Sequence, residues 1–114
     1  MSDVSDNPAY FGFTDLRGFK NFLVYVYAYA PDLFPHETWR KSDEQMNLQR
    51  AFAGLRYGLK LAADNMGNSQ RMERCWQLVD EAYQEYLNKN ERIGQQKLEE
   101  VEQLLKQFPT RSRR

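Results

Sequence analysis

The sequence holds one cysteine, Cys75, and one histidine, His36. A single cysteine excludes an intramolecular disulfide. One residue of each kind also falls short of the Cys and His set of a structural zinc site. Long apolar runs are missing too: no stretch approaches the 18 or so residues of a spanning helix. The chain has no Walker sequence and no glycine-rich strand-to-helix turn, so no phosphate cradle is expected. Internal repeats at a solenoid period and low-complexity tracts are likewise absent. Net charge is formally +0, from sixteen bases and sixteen acids. That balance gives no general pull toward a polyanion. The opening residues MSDVSDNP lack the basic and apolar regions of a secretory signal, and a cytoplasmic location is the expectation.

What is present suits one small helical domain. The chain has 114 residues, with 41% hydrophobic and 14% aromatic side chains. The aromatic content can supply a core and argues against a wholly disordered chain. Charge is unevenly spread. Residues 1–38 carry −3, residues 39–74 carry +3, residues 75–105 carry −4 and residues 106–114 carry +4. Alternating blocks of this kind fix helix register within a monomer or across a dimer.

Polar residues 1–9, with Asn7-Pro8, read as a flexible arm. Tyr10, Phe11 and Phe13 follow, three rings in four residues. Leaving such rings in water costs roughly 1.5–3 kcal/mol each, so they pack on their own domain or on a partner. Thr14 reads as an N-cap for a first helix over 15–30, which Pro31 stops. Its apolar stripe is Leu16, Phe19, Phe22, Leu23, Val26 and Ala30. The stretch LVYVYAYA also alternates as a strand would. A lone strand has no ladder partner, so helix is the reading. Pro31 to His36 form a loop held by two prolines, with Leu33 and Phe34 as its anchor.

Ser42 and Gln45 resemble a capping box for a second helix over 43–65. The stripe Leu48, Phe52, Leu55, Leu59, Ala62, Met66 is spaced 4-3-4-3-4, as in near-antiparallel bundles. Gly54 and Gly58 lie beside it, each costing about 1 kcal/mol relative to alanine. Close approach of a helix or ring is the usual compensation. A third helix over 70–87 presents Met72, Cys75, Trp76, Val79, Ala82, Tyr83 and Tyr86, after a break at Gly67-Asn68. Asn88 with Glu91 suggests a capping box for a fourth, carrying Leu98, Val101, Leu104, Leu105 and Phe108 and stopping before Pro109. With no glycine or proline between them, helices three and four could also form one rod, and Gly94 is another kink site. The domain is therefore expected over 10–109, as an all-α, up-down-like bundle of three to four helices with an aromatic N-terminal arm. Residues 110–114 read as a basic, disordered tail.

Catalytic chemistry is hard to assemble from these residues. A Cys75–His36 dyad would need an electropositive, partly open thiol, but Cys75 sits on an apolar stripe. Glu81 with Glu85, and Glu99 with Glu102, share helix faces but lack the Glu-x-x-His motif of di-iron bundles. No catalytic residue, metal or cofactor is expected.

The remaining positive signal is a surplus of ring and apolar surface. Tyr10, Phe11, Phe13, Tyr25, Tyr29, Leu33 and Phe34 are the candidate partner-binding residues. Rings with an apolar body and a polar tip are favoured at interfaces. The expected function is a non-catalytic protein-interaction module, an adaptor, regulator or inhibitor, which could be a homodimer. The alternative is a helical nucleic-acid-binding regulator using Arg50, Arg56, Lys60, Arg111, Arg113 and Arg114. The sequence pI of about 6.6 disfavours it, since dedicated nucleic-acid domains usually exceed 9. Membrane attachment is not expected, because the aromatic first helix lacks the strongly charged face of an interfacial helix.

Overall fold

A computed structural model describes residues 11–66 and 70–106. Four α-helices account for most of them: α1 (Leu16–Tyr29), α2 (Leu48–Met66), α3 (Gln70–Leu87) and α4 (Glu91–Leu105). A single 3₁₀ turn, Ser42–Glu44, interrupts the loop between α1 and α2. No strand occurs among the described residues, so LVYVYAYA is helical as read.

Each helix packs on its neighbours in sequence, and α4 closes the ring against α1. The contacts show antiparallel pairing. Phe19 of α1 meets Gly58 of α2, and Phe22, one turn later, meets Gly54, one turn earlier. Between α2 and α3, Phe52 meets Tyr83 and Arg56 meets Asp80. Between α3 and α4, Arg74 pairs with Glu100 and Glu81 with Lys97. The bundle is up-down-up-down, with a radius of gyration of 13.8 Å.

The apolar stripes read from the sequence line the core. In α1 the buried residues are Leu16, Phe19, Phe22, Leu23 and Val26, with Ala30 at the C-cap. In α2 Phe52, Leu55, Leu59 and Ala62 are fully buried, and Leu48 is half-buried. The side chain of Met66 lies outside the described residues, as does Phe108. Leu78 joins the expected stripe of α3, while Trp76 and Tyr83 are only half-buried. Leu98, Val101 and Leu105 of α4 are buried.

The glycines explain how large rings fit. A Cβ at Gly54 would stand 2.6 Å from Phe22 and 2.8 Å from Phe11. At Gly58 it would overlap the ring of Phe19. Helix α4 continues through Gly94, and the ring of Tyr86 rests on it.

Several helix ends differ from the sequence reading. Asp15, not Thr14, caps α1, its carboxylate accepting from the Gly18 N–H at 2.8 Å. Helix α2 starts at Leu48 rather than near residue 43, because Asn47 caps it by accepting from the Arg50 N–H at 2.8 Å. Ser42 and Gln45 form no capping box; Gln45 is occupied with the loop. The rod alternative for α3 and α4 is overturned at Lys89, whose φ of 69° lies in the left-handed region. The Asn90 N–H donates to the Glu85 carbonyl at 2.8 Å, and the Lys89 N–H to Tyr86 at 3.1 Å. That pair of bonds is a Schellman termination, here without its usual glycine. Asn88 lies within this turn. Asn90 takes the N-cap of α4 without a side-chain capping bond, and its amide nitrogen donates to the Glu85 carboxylate at 2.9 Å.

Candidate interaction surface at the loop end of the bundle

Antiparallel packing brings the C-terminus of α1, the N-terminus of α2, the C-terminus of α3 and the N-terminus of α4 to one end. Loop 31–47 and the α3–α4 turn both sit there. Among the described residues, large apolar side chains are exposed mainly at this end: Tyr29 at 38%, Leu33 at 68%, Trp39 at 61%, Leu87 at 50% and Ile93 at 43%. One further such residue, Val24, lies midway along α1.

The loop is built around one side chain. The Gln45 amide oxygen accepts from the Glu37 N–H at 2.8 Å. Its nitrogen donates to the carbonyls of Glu37 at 3.0 Å, Arg40 at 2.9 Å and Lys41 at 3.1 Å. Arg50, from the first turn of α2, donates to the Gln45 carbonyl at 2.9 Å. Arg40 is buried and pairs with Glu37 at 2.9 Å, which offsets the cost of removing its charge from water. Its guanidinium lies 4.0 Å from the centroid of the Trp39 ring. The loop thus holds an exposed indole against a fixed cation.

The candidate partner-binding residues separate into two groups. Tyr29 and Leu33 are exposed at the loop end. Tyr25 and Phe34 are half-buried beside them, with ring centroids 5.7 Å apart. Leu33 is therefore no core anchor. Phe11 and Phe13 are a correction: both are only 6% exposed. Their rings meet Phe22 and Tyr57 at centroid distances of 5.2–5.8 Å. The space left by Gly54 admits the Phe11 ring, so the bundle itself covers it. Tyr10 lies outside the described residues. Trp39, Leu87 and Ile93 were missed by the sequence reading. A tryptophan in the loop that follows Pro31 and Pro35 was the available signal for Trp39, while Leu87 and Ile93 sit beside a turn whose break had no glycine to mark it.

The basic candidates do not form one free surface. Arg50 is engaged with the Gln45 carbonyl. Arg56 pairs with Asp80 at 3.3 Å and lies 5.4 Å from the Tyr83 ring centroid. Lys60 is exposed one turn further along α2. Arg111, Arg113 and Arg114 lie outside the described residues.

The candidate nucleophile Cys75 and the carboxylate Glu81 are both engaged within the bundle. Cys75 is fully buried, and burial pushes its thiol from 9.0 up to about 11. It belongs to the first half of α3, toward the opposite end from His36, which is exposed in the loop. Glu81 is held below the usual carboxylate range, first by its hydrogen bond from Lys97 at 3.0 Å. Among the described residues no three His, Cys, Asp or Glu side chains are gathered as a metal site. No described helix is long and apolar enough to cross a membrane.

No protein-family model, curated protein or solved structure matches the chain.

Proposed function

We propose that the chain is a non-catalytic protein-interaction module, an adaptor, regulator or inhibitor that binds another protein through the loop end of its bundle. The observation that carries this reading is the gathering of Tyr29, Leu33, Trp39, Leu87 and Ile93, exposed, at the end where a braced loop presents Trp39. Tryptophan and tyrosine dominate binding energy at interfaces, with the best anchors worth 2 kcal/mol or more. A loop already ordered by the Gln45 amide loses little further entropy on docking. The partner is a protein chain with an apolar recess for the indole, and a second copy of this chain is the first case to test. A single thiol kept buried and protonated suits a reducing compartment such as the cytoplasm.

The test compares the wild type with the double variant Leu33→Ser, Trp39→Ala. Circular dichroism first establishes that the variant keeps its fold. Sedimentation over a concentration series then reads self-association, and cross-linking in the source cell, with mass spectrometry, reads any other partner and the contacting residue. The reading expects cross-links through loop 31–47 or the α3–α4 turn in the wild type, and their loss in the folded variant. Cross-links that run through the sides of the helices, or that persist unchanged in the variant, overturn it.

A further inference from the structure

We draw no further inference here: the strongest candidate, the hollow at the α3–α4 turn lined by Lys89, Asn90, Glu91, Arg92 and Ile93, rests on a helix N-terminus and exposed side chains, and nothing among the described residues shows what would occupy it.

Discussion

Gly58 of α2 stands directly against the ring of Phe19 on α1, leaving no room for even one added carbon. Phe19 is fully buried, so the ring has little freedom to yield. Helix propensity alone favours alanine over glycine by about 1 kcal/mol. Overpacking a rigid core costs about 1–3 kcal/mol.

The overlap should win. Gly58→Ala is expected to lower unfolding free energy by up to about 2 kcal/mol, net of the propensity gain. Urea denaturation monitored by circular dichroism reads this. A stabilised variant would mean that α1 and α2 do not meet at this pair.

The start of α2 gives a sharper comparison. Asn47→Ala removes the side chain that accepts from the Arg50 N–H and should cost about 1 kcal/mol. Ser42→Ala should stay within about 0.5 kcal/mol of the wild type, as surface changes away from caps do. Gln45→Ala removes four hydrogen bonds to part-buried and exposed backbone groups of the loop and should cost about 1 kcal/mol or somewhat more. Equal costs at Ser42 and Asn47 would restore the earlier helix start.

At the α3–α4 turn, Lys89 holds a left-handed conformation that costs a non-glycine residue about 1–2 kcal/mol. Lys89→Gly should therefore stabilise the protein, by a net amount of about 0.5–1 kcal/mol after the entropy of glycine is counted. Thermal unfolding would register a rise in Tm. A fall would point to a continuous α3–α4 rod.

Which parts of this architecture were legible beforehand follows from how local their causes are. The stripe from Phe52 to Ala62 was visible because helical spacing alone decides it, and the small residues beside it announced a close neighbour. Phe11 and Phe13 were ambiguous because their burial depends on Gly54 and Tyr57, some forty residues away. The start of α2 was misplaced because Gln45, a capping residue by spacing, folds back on Glu37 instead. At Lys89 the turn is imposed by the packing of α4 on α3, against the residue's own preference. Trp39 was passed over since nothing local reveals that Arg40 is buried with its guanidinium against the indole.

The alkaline limit of stability follows from two buried groups on α3. Burial raises Cys75 from 9.0 to about 11 and Tyr86 from 10.0 to about 12, the latter with Glu91 and Tyr27 adding to the effect. Well below pH 9 both are protonated in the folded and unfolded chains, and neither makes stability depend on pH. Between 9 and 12 the unfolded chain loses these protons first, so stability should fall as pH rises. Denaturation midpoints across that range check the slope. A thiol reagent at pH 8 should also find Cys75 inert until urea unfolds the chain, and rapid native labelling would contradict its burial.

The division of the aromatic and apolar residues between core and exposed end can be read in one experiment, hydroxyl-radical footprinting of the full chain at a concentration low enough to suppress association. Leu33 and Trp39 should be oxidised quickly, while Phe11, Phe13, Phe19 and Phe52 stay protected until denaturant is added. Phe11 and Phe13 reacting as fast as Trp39 would contradict the account, since the rings assigned to the interior would then be the exposed ones.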